Sequence, residues 1–329
     1  MSLSDLSQYV AGACLALTLT LTLPGLSHAS QQFPNQPVQL VVGFSAGGPA
    51  DNVARALSQR LGELLDTSVV IVNRPGADGV IAASSVSRAT PDGHTLLLAP
   101  STLAINESLY KNLTYNASDD FIPVTLIGES PNIIAVHPSL PVKTIPELVS
   151  YSQKPEVKLF YGSSSSVTLL ATEMLKLETG SKMEKVPYKG AGQAIPALLS
   201  GEVQTMVSSV LTLLPQIQAG RARALAVTSK SRLPIAPDIP TVAEQGLPDY
   251  AASTWYGLFA PSGTPSSTVD KIAQAMKEVM ADQNVQSQFE KQGMIAHPGV
   301  DSPADFKTYF QDEIQKWKKV VVDSGIPTN

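Results

Sequence analysis

Apolar and polar residues along this chain fall into two alternating spacings, and one first gives way to the other near residue 43. Val38-Gln39-Leu40-Val41-Val42 is a nearly continuous apolar and β-branched run, the make-up of a buried parallel strand. Beyond it, Val53, Leu57, Leu61, Leu64 and Leu65 recur at helical spacing. Gly43-Phe44-Ser45-Ala46-Gly47-Gly48-Pro49-Ala50-Asp51 lies between them. A strand therefore ends, a glycine loop turns, and a helix begins with Pro49 suited to its first position.

The alternation continues. Ser68 to Val72 predicts a second strand, the turn Asn73 to Gly79 a small-residue helix ending near Arg88, and Thr95 to Ala99 a third strand after Pro91-Asp92-Gly93. Ser101 or Thr102 is placed to cap a helix reaching Tyr110. Two apolar runs, 124–127 and 133–136, flank Gly128-Glu129-Ser130-Pro131-Asn132. A second series follows: strands at 157–161, 185–188, 203–207 and 222–228, with helices near 167–175, 193–199 and 211–219, which reads as a second parallel unit. After the proline-marked loop 234–240, residues 254–259 predict a strand that can run back. The rest is helical, with core stripes Val269, Ile272, Ala273, Met276, Val279 and Met280, then Phe306, Tyr309, Phe310, Ile314, Trp317 and Val321. Two α/β units joined by crossings near 128–132 and 250–254 imply two lobes, a hinge and a cleft suited to a small ligand.

Chemistry concentrates at the strands' carboxyl ends, where open α/β sheets bind ligands. Unpaired N–H groups at the start of the first helix, with the helix dipole, make the Gly47-Gly48 loop a candidate anion cradle. Gly162-Ser163-Ser164-Ser165-Ser166 precedes a helix in the second unit and offers both a cap and spare hydroxyls. Tyr188-Lys189-Gly190-Ala191-Gly192 is a third glycine-rich turn; it lacks the third glycine of a dinucleotide fingerprint, so a nucleotide is discounted. Ser208-Ser209 ends another strand at the same edge.

Composition narrows the partners. With 43% hydrophobic and 16% charged residues in a length of 329, a large core is available, and a net charge of -5 with no basic stripe argues against nucleic acid. The apolar run Val10 to Leu23 is shorter than the roughly 20 residues of a membrane span, and Ser27-His28-Ala29 reads as a signal-peptidase site after Ala29. Export to the periplasm is expected, although Met1 to Tyr9 carries no Lys or Arg. The sole cysteine, Cys14, falls in the leader, so the mature chain has no thiol.

Taken in order, several segments resemble the Bug family of periplasmic solute receptors, the extracytoplasmic binding proteins of tripartite tricarboxylate transporters. They are Val41 to Asp51, Asn73-Arg74-Pro75-Gly76-Ala77, Pro91 to Leu97, Pro187-Tyr188-Lys189-Gly190-Ala191, Ala219 to Val227 and Ala260 to Pro265. The resemblance implies a two-lobed, type II periplasmic-binding-protein α/β fold, each lobe a mixed sheet flanked by helices, joined by a two-strand hinge. Residues 1–29 are then a signal peptide, 30–130 with 254–329 one lobe, and 131–253 the other. It also implies a monomeric receptor for a small carboxylate, working with integral-membrane transporter subunits, with no cofactor. The carboxylate would be held by amides of Ala46, Gly47, Gly48, Pro49 and Ala50 with Ser45 beside them, and by Ser101, Thr102, Gly162, Ser163, Ser164, Ser165, Ser166, Ala191 and Ser208. Phe44 and Tyr188 would be apolar walls.

Two departures matter. Ser208 stands where the family usually has Asp, which makes an amino-acid ligand less suited, and the family's Ser-x-Gly-x-Gly-Ser loop and following His become the serine run and Leu169.

One enzymatic alternative exists. Gly43-Phe44-Ser45-Ala46-Gly47 matches a nucleophile elbow, with His137 or His297 as base, but only residues 30–37 precede its strand where a hydrolase has several. An orphan receptor serving a sensor kinase would use the same cleft. The mature histidines, His94, His137 and His297, are not clustered for a metal.

Overall fold

The structure, a computed structural model, describes residues 33–295 and 300–328. The expected leader, Cys14 and His297 lie outside these residues. In chain order the strands are β1 (Val38–Val42), β2 (Val69–Asn73), β3 (Thr95–Pro100), β4 (Phe121–Ser130), β5 (Asn132–Val136), β6 (Phe160–Ser163), β7 (Glu184–Pro187), β8 (Thr205–Ser209), β9 (Arg223–Val227) and β10 (Thr254–Pro261). The helices are α1 (Pro49–Leu65), α2 (Val80–Val86), α3 (Thr102–Leu109), α4 (Ile145–Ser152), α5 (Ser166–Thr179), α6 (Ala191–Ser200), α7 (Val210–Gln218), α8 (Ser266–Ala281), α9 (Gln283–Lys291) and α10 (Pro303–Ser324).

Two five-stranded sheets share one plan. The first runs β2-β1-β3-β10-β4, with β1, β2 and β3 parallel and β10 antiparallel to both neighbours. The second runs β7-β6-β8-β5-β9, with β6, β7 and β8 parallel and β5 antiparallel to β8 and β9. The second unit is therefore mixed, as the family resemblance implies, and not parallel as its apolar runs suggest. The reason is the crossing: β5 enters straight from β4 with only Pro131 between them, and it must run in the direction that crossing imposes. In each sheet the reversed strand is the one that arrives from the other.

Leu40, Val42, Leu96, Leu98 and Leu258 bury one face of the first sheet with Val53, Leu57 and Leu61 of α1 and Ile272 and Met276 of α8. A second core is continuous through both sheets, running from Val41 and Leu97 through Phe259, Phe306, Phe310 and Trp317 to Ile134, Leu170 and Val207, and a third, with Ile133, Leu198 and Met206, covers the opposite face of the second sheet. Helix α10 accounts for this continuity, since it contacts α3 and β4 on one side and α5 on the other. Its buried Glu313 accepts from the indole N–H of Trp255 (2.8 Å) and of Trp317 (2.9 Å), and also binds Lys316. The Lys316 ammonium in turn donates to the Ala251 carbonyl, 3.2 Å away on the returning crossing.

At the crossings, Asn132 N–H donates to Thr228 Oγ1 (2.9 Å), and Asn132 Nδ2 donates to the Ala252 carbonyl (3.2 Å). Thr228 N–H donates back to the Asn132 carbonyl at 2.9 Å. A further contact joins the sheets here: Ile295 pairs with Glu129 at the end of β4 while packing on the second sheet's core. Burial there pushes the Glu129 carboxyl up.

Gly257, in the middle of β10, faces the Phe306 ring so closely that a Cβ would lie 2.3 Å from its Cζ. Gly257→Ala is expected to cost about 1–3 kcal/mol by overpacking, read as a lower denaturant midpoint at unchanged slope.

Candidate functional site

The loop between β1 and α1 is held from below. Gly47 takes φ +79°, a left-handed conformation that suits glycine, and nothing lies within 4 Å of where its Cβ would be. Gly48 is the N-cap, Pro49 the first helical residue, and Asp51 the third, wholly buried at 0% exposure. The Asp51 carboxylate accepts from Gly47 N–H (2.8 Å), Arg55 Nε (2.7 Å) and Asn73 Nδ2 (2.9 Å). Burial by itself would raise the carboxyl's pKa; the hydrogen bonds from Arg55, Gly47 and Asn73 outweigh it and bring it down to about 2. Asn73 Nδ2 also donates to the Phe44 carbonyl at 3.0 Å.

This arrangement corrects the expected set of anion-binding amides. Gly47 N–H is spent on Asp51, Gly48 N–H donates to the Ser45 carbonyl at 3.1 Å, and Pro49 has no N–H. Among the described residues, no protein acceptor takes the N–H groups of Ala46 and Ala50. Of the residues 44–49, Ser45, Ala46, Gly47 and Pro49 are exposed.

Beside this loop, Gly76, Ala77, Asp78 and Gly79 all have positive φ. Two of them are not glycine, and each left-handed L-residue costs roughly 1–2 kcal/mol, so the turn is held by its surroundings: Asn106 Nδ2 donates to the Asp78 carbonyl at 3.1 Å. A Cβ on Gly79 would lie 3.5 Å from the Phe44 ring and 3.9 Å from Thr102 Oγ1, so Phe44 and Thr102 flank this turn. They line a small cavity with Gly43, Gly79, Leu98 and Asn106. Ser101 occupies the N-cap position of α3 but does not cap it: its φ/ψ of -53°/-15° are already helical, and its fully buried Oγ has no hydrogen-bond partner.

In the second sheet Ser165 caps α5, its Oγ accepting from Thr168 N–H at 3.3 Å. The next residue, Ser166, is 6% exposed with an unpartnered Oγ. Ser163 is buried and its carbonyl accepts from Tyr188 N–H at 2.8 Å, while Ser164 is part exposed. The Tyr188 ring lies beside Gly162, and its hydroxyl donates to Glu202 at 2.8 Å. Ala191 opens α6, and Ser208 is buried with its Oγ 3.3 Å from Thr212 Oγ1.

Two groups are thus assembled: Phe44 with Thr102 in the first sheet, and Gly162 with Ser163 and Tyr188 in the second. No hydrogen bond joins residues 44–49 to 162–166 among the described residues. Helices α3 and α5 do touch, and these are the helices that begin beside the unpartnered hydroxyls of Ser101 and Ser166.

The family model described as the tripartite tricarboxylate transporter family receptor matches residues 53–326. The chain belongs to this receptor family. Among solved structures similar to the receptor, the periplasmic binding protein BugD is 32% identical, covering 90% of this chain and 100% of its own, with a TM-score of 0.75. Rpa4515 of R. palustris, solved with adipate, is 35% identical over 90% and 99%, TM-score 0.76. MatC of Rhodopseudomonas palustris, with bound malate, is 32% identical over 88% and 100%, TM-score 0.74.

In the receptor, the described histidines are engaged away from Ser45. His137 Nδ1 lies 2.7 Å from Ser139 Oγ, and His94 Nε2 accepts from Asn35 N–H at 3.2 Å. Asp51, Asn73, Gly79 and Asn106 are the site residues that the sequence reading does not single out. Asp51 and Asn73 stand inside segments quoted for the family resemblance, which was the one available signal.

Removing a used cap and removing an idle hydroxyl should differ. Ser165→Ala is expected to cost about 0.5–2 kcal/mol, whereas Ser101→Ala and Ser166→Ala leave ligand-free stability unchanged or higher, since each deletes an unpaired buried group; chemical denaturation of the three variants checks this. The lowered pKa of Asp51 means that its contribution to stability is complete above its unfolded value of about 3.9 and is lost as pH falls toward 2. Asp51→Asn should flatten that acid limb in a melting-temperature series.

Proposed function

We propose that the receptor binds a small mono- or dicarboxylate without a primary amine in a cleft between its two lobes and delivers it to integral-membrane transporter subunits. The moving units are 30–130 with 254–329 and 131–253, and the protein acts as an exported monomer in the periplasm. One observation carries the reading: Ser101 and Ser166, one following a strand of each sheet, hold buried hydroxyls without protein partners at the starts of two helices in contact. A buried polar group left unpaired is costly, and a carboxylate accepting from both would satisfy them.

The chemistry around these hydroxyls is neutral. Ala46 and Ala50 supply the free N–H groups, and Thr102, Ser163, Ser164 and Ser208 the further polar atoms, with Phe44 as an apolar wall. At Ser208 the partner is the Thr212 hydroxyl, so no carboxylate is offered there to an ammonium group. Adipate and malate, the ligands of two relatives, fit this class.

The test is a thermal-shift panel of adipate, malate, shorter monocarboxylates and amino acids. A ligand at 100 times its Kd should stabilise the protein by about 2.7 kcal/mol. Ser101→Ala and Ser166→Ala should each weaken binding by about 1.5–3 kcal/mol, the worth of a hydrogen bond to a charged group. A melting point raised by amino acids alone, or by none of the carboxylates, would refute the reading.

A further inference from the structure

The β1–α1 loop is shaped by a carboxylate that a ligand in the cleft would never touch. We propose that Asp51 is the positioning residue of the anion site, and that Arg55, although outside the pocket, sets the affinity for anions by cancelling the Asp51 charge. This rests on the carboxylate-receptor reading above.

The geometry is specific on both points. Asp51 Oδ2 takes Gly47 N–H at 2.8 Å and Arg55 Nε at 2.7 Å; Oδ1 takes Asn73 Nδ2 at 2.9 Å and Arg55 Nη2 at 3.3 Å. The loop is therefore pinned at Gly47 directly and at Phe44 through Asn73, which donates to the Phe44 carbonyl. Between these two pins Ser45 and Ala46 are exposed. With Gly47 N–H committed, the pins decide which N–H groups remain for a ligand.

Charge supplies the second half. A negative group buried at the head of a helix that is to receive an anion opposes that anion unless something neutralises it. Arg55 does so as a two-point partner from the outer side, with 58% of its side chain exposed. Removing Arg55 leaves the Gly47 and Asn73 bonds to Asp51 in place but uncovers its charge. A purely structural cap would show no such effect on ligand affinity, and salt would not modulate it.

The experiment uses the full mature chain as wild type, Arg55→Gln, Asp51→Asn and the double variant. The first readout needs no ligand: amide hydrogen exchange by NMR near neutral pH. In the wild type Gly47 should exchange about tenfold more slowly than its exposed neighbour Ala46, and Asp51→Asn should erode that difference. The second readout is calorimetric Kd for adipate and for malate at low and high salt. Arg55→Gln should raise Kd about fivefold at low salt and less at high salt, whereas Asp51→Asn and the double variant, which carry no uncovered charge but an unpinned loop, should bind more weakly than wild type by a factor that salt does not change.

Equal exchange at Gly47 and Ala46 in the wild type, an unchanged Kd in Arg55→Gln, or a loss in the double variant as salt-dependent as that in Arg55→Gln would each overturn the proposal. If Asp51→Asn does not fold, the salt dependence of Arg55→Gln decides the matter alone. A wild type that binds neither adipate nor malate refutes the receptor reading for these ligands and, with it, the affinity role of Arg55, while the Gly47 exchange rate still decides whether Asp51 pins the loop.

Discussion

Two chain crossings must share one place, and the hydrogen bonds of Asn132 with Thr228 and Ala252 keep them there. Asn132 begins β5 and Thr228 follows β9, while Ala252 stands two residues before β10. All three are almost wholly buried, so the polar groups there must find partners inside the protein. This small network ties the end of β9 and the approach to β10 to the start of β5, at the point where the chain passes between the sheets. The strand that arrives by each crossing is the one that runs reversed in its sheet.

The proposed site departs from the usual expectation that an anion is met by a cation. Its proposed parts are main-chain N–H groups, hydroxyls and one aromatic ring, and Arg55, behind the β1–α1 loop, is turned to a protein carboxylate. Hydroxyls and amides can serve as well when several converge in a place that excludes water, because each then acts at a lower effective dielectric. The net charge of -5 need not hinder such a site, since exposed charges farther than about 10 Å are screened at ordinary salt.

Much of the fold was legible because spacing is local. β1 lies where its apolar run predicts, and the stripes of α1, α8 and α10 are buried apart from the half-buried Leu64, Ala273, Met280 and Tyr309. Direction was not legible in the apolar pattern, although the family resemblance implied mixed sheets: an apolar run reads the same forwards and backwards, so nothing in residues 133–136 announces that β5 opposes β8. The strand expected at 157–161 is formed by Phe160–Ser163 instead, since its register is set by pairing with Glu184–Pro187, far off in the chain. In the site, the cap at Ser165 was visible as a serine before an apolar stripe. The idle hydroxyl of Ser101 was not, because whether a serine caps depends on its φ/ψ, and Ser101 is already helical. The Asp51–Asn73 contact spans 22 positions and has no spacing rule at all.

The place of β10 has a consequence for the order in which the molecule is assembled. In the first sheet β4 has β10 as its neighbour, and β10 also lies against β3. A chain emerging with its amino terminus leading can complete the second sheet once residue 227 is out, but its first sheet stays split until residues 254–261 appear. The earliest-made half is thus the last to close, and a long stretch of apolar strand must wait in the open for a partner made much later.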